Sequence, residues 1–265
     1  MFFFHGTPGS RLVLGADDAF ARMAGVRLIL PERPGYGISD PKPNRVLLDW
    51  PADVAELADR LGIDAFAVAG ASGGGPHALA CAYRLAPRAT KAVLLASPSP
   101  AGFRGATEGM SWGNRLGLLL DRHAPWLVRR LIRSYAETLE RDPDGFVDAL
   151  AKPMAPSDRA LFERAAFREA ILRDVREAYR QGGDGQAIDA ALAMTSRDWG
   201  FSLRDVAIPV HLWQGEDDTF VTSGMAQYLV REIPRCKARF VRGAGHLLTE
   251  HPAVIEEVRT VLLDP

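Results

Sequence analysis

The clearest candidate for chemistry in this sequence is a serine in a glycine-rich turn. The motif GASGG at 70–74 directly follows the apolar run 65–69 and precedes a segment with helical periodicity. A residue on a sharp strand-to-helix turn has a strained backbone, and its neighbours must be small where the chains pass closely. The start of the helix also favours negative charge nearby. The pattern therefore predicts that Ser72 is a nucleophile, flanked by Gly70 and Gly74 as the small residues.

Other interpretations of this turn are open to the sequence. By itself the motif does not distinguish a nucleophile from an ordinary strand–turn–helix connection. The stretch VAGASGGGPHALA is also similar to the nucleotide-binding turn of short-chain dehydrogenases. That comparison fails because the turn does not follow the first strand and because Pro76 stands where the motif has its last glycine. In addition, no tyrosine is followed four residues later by a lysine.

A second glycine-containing loop, HGTPG at 5–9, follows the apolar run 2–4. Backbone N–H groups in such a loop can stabilise negative charge that develops on a substrate oxygen, by roughly 3 to 4 kcal/mol for each donor. Thr7 is the expected donor because the residue after it is a proline, which has no N–H. The N–H of Gly73 is the expected second donor. Gly6 supports the loop, and His5 is expected to bond within it rather than to react.

A base and an orienting acid are available near the end of the chain. His246 closes the motif GAGH after the last apolar run, and the acids of GEDD at 215–218 follow the run 210–213. A general base of this kind needs a carboxylate on its other ring nitrogen, which fixes the tautomer and stabilises the imidazolium. Because both loops follow predicted strands, we expect His246 and one of these carboxylates to meet at one edge of the sheet.

The remaining pattern predicts an α/β protein with a mostly parallel sheet flanked by helices. Short apolar runs alternate with helical periodicity, as is typical of a parallel sheet covered by helices. Between about 100 and 205 the strand signals stop and amphipathic helical patterns take over, for example at 127–139 and 160–179. We interpret 100–205 as an inserted helical cap, and 1–99 with 206–265 as the core. The predicted strands are 2–4, 28–30, 65–69, 91–96, 210–213 and 238–241.

Five motifs in this order resemble the α/β-hydrolase fold family, in the cap-bearing serine hydrolase branch that includes esterases, proline iminopeptidases and carbon–carbon bond hydrolases. They are HGTPGS, ERPGYGISD, GASGGGPHALA, QGEDDTFV and GAGH, and they extend over nearly the whole chain. The resemblance implies a triad of Ser72, Asp218 and His246, which have the family's chain order. In that family the acid commonly falls three residues after the glycine, which selects Asp218 over Asp217 and Glu216.

The same resemblance narrows the chemistry. A serine at position 72, where relatives with other chemistry have aspartate, argues against haloalkane dehalogenase or epoxide hydrolase activity. Some relatives carry the acid after the preceding strand, but here that position reads Ser97-Pro98-Ser99. Relatives usually begin with an antiparallel hairpin that is missing before Met1. We therefore expect that the natural start lies upstream or that the chain was truncated, and that 28–30 is an exposed edge strand.

These observations predict a serine hydrolase that cleaves a small to medium carboxylic ester through an acyl-enzyme intermediate. Within enzymes, an aminopeptidase or a carbon–carbon bond hydrolase on the same triad is the alternative. An aminopeptidase would need carboxylates in the cap to hold the substrate's ammonium group, and Glu137, Glu140 and Glu177 are acids in that segment. A ligand-binding relative of hydrolases with little turnover is the alternative from another class.

Composition limits the expected partners to a small-molecule substrate. In 265 residues, 32 lysines and arginines face 33 acids, a formal net charge of −1. That balance predicts no nucleic-acid partner and no membrane partner. No apolar run reaches the roughly 18 to 20 residues of a membrane helix, and the N-terminus lacks the features of a signal peptide. We expect a cytoplasmic protein without cofactor or metal; its oligomeric state is not predicted.

Overall fold

The computed structural model describes residues 1–13 and 25–264, and a parallel five-stranded sheet lies at its centre. Adjacent strands follow the chain order β1-β2-β3-β4-β5, and every pair is parallel. Five of the six predicted strands are therefore present, with ends displaced by up to two residues. The strands are β1 (Phe2–Phe4), β2 (Phe66–Ala71), β3 (Ala89–Leu95), β4 (Val210–Gly215) and β5 (Cys236–Val241).

The sixth predicted strand, at 28–30, is wrong as a strand. This segment makes a single parallel bridge, between Ile29 and Phe2. The N–H of Phe3 donates to the carbonyl of Ile29 and the N–H of Ile29 donates to the carbonyl of Met1, both at 2.9 Å. The ladder stops there because β1 is only three residues long and the chain then leaves the sheet for the 5–9 loop.

Helices cover both faces of the sheet and fill the interval between β3 and β4. None of the helices in the described ranges is long and apolar enough to cross a membrane. In chain order they are α1 (Trp50–Arg60), α2 (Gly75–Arg84), α3 (Trp112–His123), α4 (Pro125–Arg141), α5 (Pro143–Ala151), α6 (Pro156–Leu161), α7 (Ala165–Ala178), α8 (Asp184–Ala190), α9 (Ser223–Glu232) and α10 (Pro252–Leu263).

Alternation along the strands separates two apolar cores. Successive side chains of a strand point to opposite faces, so Phe2 and Phe4 pack with α1, α2 and α9, whereas Phe3 packs with α10. Both faces are buried, which explains why the strands read as continuous apolar runs rather than as alternating ones. The carboxyl ends of all the strands meet at one edge of the sheet, where the candidate functional residues follow.

The segment between β3 and β4 is helical, but one of its two predicted helices is divided into two in the structure. The pattern 127–139 lies within α4, whereas the pattern 160–179 is divided between α6 and α7. Phe162 and Phe167 are both buried, with ring centroids 5.0 Å apart. In a continuous helix, positions five residues apart point about 140° away from each other. Both rings reach the same apolar cluster because the helix breaks between them.

Tight backbone crossings fix the turn between β2 and α2. A Cβ atom added to Gly74 would lie 2.1 Å from the carbonyl oxygen of Phe4, and one added to Gly70 would lie 2.3 Å from the carbonyl oxygen of Gly74. Real Cβ atoms do not approach backbone this closely, so only glycine fits either position. These two glycines let β1, β2 and the start of α2 pass within backbone contact, and the turn residue Ser72 is left at φ +50°.

Replacing Gly74 by alanine is expected to lower the free energy of unfolding by about 1 to 3 kcal/mol, because backbone must move to admit the methyl group. Gly117, inside α3, has no atom within 4 Å of an added Cβ. Gly117→Ala should therefore leave stability unchanged or raise it by up to about 1 kcal/mol. Urea unfolding of both variants measures the difference. A Gly74→Ala protein as stable as the wild type would contradict the close crossing.

Candidate active site

A cavity of about 490 Å³ lies between the carboxyl edge of the sheet and the helices that precede β4. It is lined by the predicted site residues Gly6, Thr7, Ser72, Gly73 and His246. Asp218 lies behind His246, and the three remaining residues, His5, Gly70 and Gly74, support the loops from outside the cavity. Most of the wall is apolar, and many of its residues come from the segment between β3 and β4, among them Met110, Val128, Ile132, Leu150, Met154 and Val175.

Ser72 lies at the cavity wall on the turn that ends β2. Its positive φ belongs to the left-handed region that residues other than glycine rarely adopt. A short 3₁₀ turn, Ser72–Gly74, leads directly into α2. The loop after β1 packs against this turn, since a Cβ added to Gly6 would be 3.6 Å from the Cβ of Ser72. The strained backbone is thus held by close neighbours at an accessible position.

Thr7 and Gly73, the predicted oxyanion donors, are in direct contact. A Cβ on Gly73 would lie 2.3 Å from Oγ1 of Thr7 and 3.6 Å from its backbone nitrogen. Both residues line the cavity beside Ser72. The absence of a side chain at position 73 is what lets the two backbone segments approach each other on the serine side.

His246 is hydrogen-bonded to Asp218, at 2.7 Å between Nδ1 and Oδ2. The other carboxylate oxygen, Oδ1, accepts from the N–H groups of Phe220 at 2.8 Å and Val221 at 3.0 Å. Glu216 and Asp217, the other two candidate acids, are exposed, whereas the Asp218 side chain is fully buried. The loop after β4 therefore folds back on Asp218 and presents its Oδ2 to the imidazole.

Gln214 is a supporting residue that sequence reasoning missed. It is fully buried at the end of β4, and its Nε2 lies 3.3 Å from Oδ2 of Asp218 and 2.8 Å from the carbonyl oxygen of Val221. A glutamine directly after the apolar run 210–213 was the available signal, because a buried amide requires partners.

Opposing effects act on the pKa of His246. Burial lowers it, but the charge of Asp218, its hydrogen bond and the charge of Asp158 together raise the pKa above its usual value. The imidazole is therefore a stronger base than a free histidine, which suits a group that must accept a proton and hold it.

Asp158, on α6, is a second acid that the sequence did not indicate. Its Oδ2 accepts from the N–H of His246 at 2.7 Å and its Oδ1 from the N–H of Leu247 at 3.1 Å. A Cβ on Gly245 would lie 2.1 Å from Oδ2. A carboxylate from the segment between β3 and β4 thus accepts two backbone hydrogen bonds from the loop that carries His246. No local pattern could reveal it, because 88 residues separate the partners.

A buried ionic cluster holds the loop that carries Thr7. Arg33 pairs through Nε with Asp189 of α8 at 2.6 Å, and both side chains are fully buried. The guanidinium also donates to the carbonyl oxygens of His5 at 2.7 Å and Gly6 at 3.0 Å, and to Oγ1 of Thr7 at 3.2 Å. The loop's carbonyl groups are thereby turned toward Arg33.

The two other histidines near the site have structural contacts. Nδ1 of His5 lies 2.8 Å from the carbonyl oxygen of Gly6, as expected for a loop-bonding residue. Nδ1 of His77 lies 3.0 Å from the carbonyl oxygen of Gly73. Burial, followed by the charge of Arg33, lowers the pKa of His77 to about 3. His77 is therefore neutral at neutral pH and braces the turn after Ser72.

Acids, but neither lysine nor arginine, are found among the cavity-lining residues that the structure describes. Asp121 of α3 and Asp174 of α7 are among the lining residues. Asp174 accepts from the N–H of Ser10 at 2.9 Å and from its Oγ at 2.6 Å, both through Oδ1. Burial raises the pKa of Asp174 to about 6, although these hydrogen bonds lower it. The cavity therefore disfavours anionic ligands.

The sequence also suggested three acids between β3 and β4 that could hold a substrate's ammonium group, and these lie outside the cavity. Glu137 and Glu140 are exposed on α4, and Glu177 pairs with Arg11 at 2.7 Å. None of the three lines the cavity.

Comparisons with known proteins agree with this fold. A family model described as "Alpha/beta hydrolase family" matches residues 1–258. A thermophilic esterase from Thermogutta terrifontis is similar at TM-score 0.68 and 20% identity, covering 98% of this chain and 88% of that one. Esterase RhEst1 from Rhodococcus sp. ECU1013 is similar at TM-score 0.64 and 23% identity, covering 98% and 89%. Bromoperoxidase from Bacillus anthracis gives TM-score 0.72 and 20% identity, covering 100% and 91%. No curated protein sequence matches.

Asp158→Asn is expected to lower the pKa of His246, because it removes a negative charge that stabilises the imidazolium. Titration of the histidine ring by NMR measures both pKa values, and the wild-type value should lie above 6.5. Asp144→Asn is the matched control, since this side chain is 81% exposed. An unchanged His246 pKa in Asp158→Asn would show that Asp158 does not act on the imidazole.

Proposed function

Because the chain belongs to the alpha/beta hydrolase family and has its fold, we propose that it is a serine hydrolase that cleaves small to medium carboxylic esters. The observation that carries the proposal is the 2.7 Å hydrogen bond between Asp218 and His246, because His246 lines the same cavity as Ser72. In the proposed triad, Asp218 is the acid that orients the base His246 and Ser72 is the nucleophile.

In the proposed reaction, His246 accepts the hydroxyl proton of Ser72 as Oγ attacks the ester carbonyl. The backbone N–H groups of Thr7 and Gly73 stabilise the negative charge on the carbonyl oxygen. The imidazolium, stabilised by Asp218, then protonates the leaving alcohol, and an acyl-enzyme remains on Ser72. A water molecule, deprotonated by His246, attacks the acyl group; the bond to Oγ of Ser72 breaks, the imidazolium returns its proton to Oγ, and the carboxylic acid is released.

The cavity supports an ester as the substrate class. Its volume of about 490 Å³ suits a small to medium molecule, and its wall is mostly apolar. Three of the similar structures are named esterases, and another is named an N-acyl homoserine lactone degrading enzyme. The inserted helices between β3 and β4 act in this proposal as a cap that roofs the acyl group.

A fluorophosphonate probe is expected to label the wild-type protein and not Ser72→Ala, because only an activated serine reacts with it. Ser134→Ala, at an exposed position on α4, is the matched control and should be labelled like the wild type. Asp218→Asn should lower kcat for a p-nitrophenyl ester by about 10⁴-fold by favouring the wrong tautomer of His246. Labelling that persists in Ser72→Ala, or a folded wild type that is not labelled, would contradict the proposal.

A second candidate function is hydrolysis of substrates that carry an ammonium group, as an aminopeptidase would. The observation that favours it is the presence of Asp121 and Asp174 in a cavity whose lining residues, within 1–13 and 25–264, include no lysine or arginine. An ionised carboxylate would attract an ammonium group in this apolar surrounding more strongly than in water.

Two p-nitrophenyl esters of equal size, one with an amino group and one with a methyl group in its place, distinguish the two candidates. If the amine is bound, Asp174→Asn should lower its kcat/KM by about tenfold or more and leave the neutral ester unchanged. The ratio of the two rates should also fall as pH drops through about 6, where Asp174 becomes protonated. Taking the ratio cancels the titration of His246. A ratio near one in wild type, insensitive to Asp174→Asn, would leave the neutral ester as the substrate class.

A further inference from the structure

The helical hairpin formed by α3 and α4 exposes large apolar side chains on its outer surface. Trp112 is 78% exposed and Trp126 is 69% exposed. The other three tryptophans of the chain are buried in the cores. Further exposed apolar residues of the hairpin are Leu116, Leu119, Leu131 and Tyr135. We call the exposed residues of 112–135 the hairpin face.

The exposed apolar residues of α3 form a regular pattern on one side of the helix. Trp112, Leu116 and Leu119 are spaced at i, i+4 and i+7, which places them on one side of α3. The opposite side of α3 faces the cavity, which Gly117 and Asp121 line. The apolar outer side of α3 is therefore separate from the side that faces the cavity.

The apolar hairpin face is also strongly basic. Residues 112–133 contain five arginines and one acid, Asp121, which is buried toward the cavity. Four of the arginines form no ion pair with any residue in 1–13 or 25–264: Arg115, Arg122, Arg129 and Arg130. Because the whole chain has a formal net charge of −1, this local excess does not appear in the composition.

We propose that the hairpin face docks on an anionic lipid surface. Tryptophan side chains favour the boundary between acyl chains and headgroups, and arginines beside them are attracted to anionic headgroups. A helix with one apolar side flanked by cations lies in the plane of such a surface rather than crossing it. The expectation of no membrane partner was based on net charge, whereas docking depends on how charge is distributed.

Charge also argues against a second copy of the chain as the occupant of this face. A two-fold contact places the same patch of both subunits together. Here it would bring two sets of largely unpaired arginines against each other without acids to compensate them. Anionic headgroups supply the compensation that another hairpin face lacks.

Binding to vesicles tests the proposal without relying on catalysis. Ser72→Ala protein, which cannot consume lipid by the proposed reaction, is mixed with vesicles of phosphatidylcholine alone or with phosphatidylglycerol. We expect co-sedimentation with the anionic vesicles, a blue shift of tryptophan emission, and weaker binding at high salt. Trp112→Ala/Trp126→Ala should abolish the blue shift and weaken binding at least tenfold. Arg129→Gln/Arg130→Gln should weaken binding by about tenfold or more.

Matched controls remove the same chemistry elsewhere on the surface. Arg84→Gln/Arg242→Gln removes two exposed arginines outside the hairpin. Ile38→Ser removes an exposed apolar side chain that also lies outside the hairpin. Both should bind like the parent protein, and all variants should unfold at the parent's Tm because the residues are exposed. Absence of binding to anionic vesicles, or binding that the hairpin variants leave unchanged, would overturn the proposal. So would a vesicle-free dimer that Trp112→Ala/Trp126→Ala converts to monomer, which would identify the face as a self-association surface.

Discussion

A guanidinium and a carboxylate, both without solvent contact, meet where the loop after β1 leaves the sheet. Arg33 and Asp189 are 2.6 Å apart, and Asp189 also pairs with Arg45 at 2.6 Å. Removing one partner of such a buried pair costs about 3 to 5 kcal/mol, because the other charge is left without compensation. Since Arg33 also holds the carbonyl groups of His5 and Gly6, the position of Thr7 depends on this charge balance.

Other buried carboxylates also hold loops along the edge of the sheet. Three buried aspartates of the inserted helices each bind a loop that follows a strand or lies beside one. Asp158 holds the backbone of the histidine loop, Asp174 holds Ser10, and Asp189 holds Arg33. Buried carboxylates require specific partners in a specific geometry, whereas apolar contacts tolerate sliding. The three aspartates therefore fix the position of the inserted helices over the edge of the sheet.

Sequence predicted the parts of the molecule that have local causes. Five strands and the turn at Ser72 were predictable because periodicity and small residues are read within a few positions. The resemblance to a known family selected Asp218, and the structure places that residue against His246. Asp158 and Asp189 were not predictable, because their partners lie 88 and 156 residues away and no spacing rule connects them. The break between α6 and α7 was missed because no glycine or proline marks it in the sequence 161–165.

The negative charge of the cavity acids bears on both candidate functions. Hydrolysis converts a neutral ester into a carboxylate, and a new negative charge beside Asp121 and Asp174 is destabilised because the described part of the wall holds no lysine or arginine. The substrate does not experience this repulsion, so the acids favour release of the product over its retention. An ammonium group on the substrate would reverse the sign and be held by the same carboxylates. The ionisation of Asp174, which is half complete at about pH 6, sets the strength of both effects.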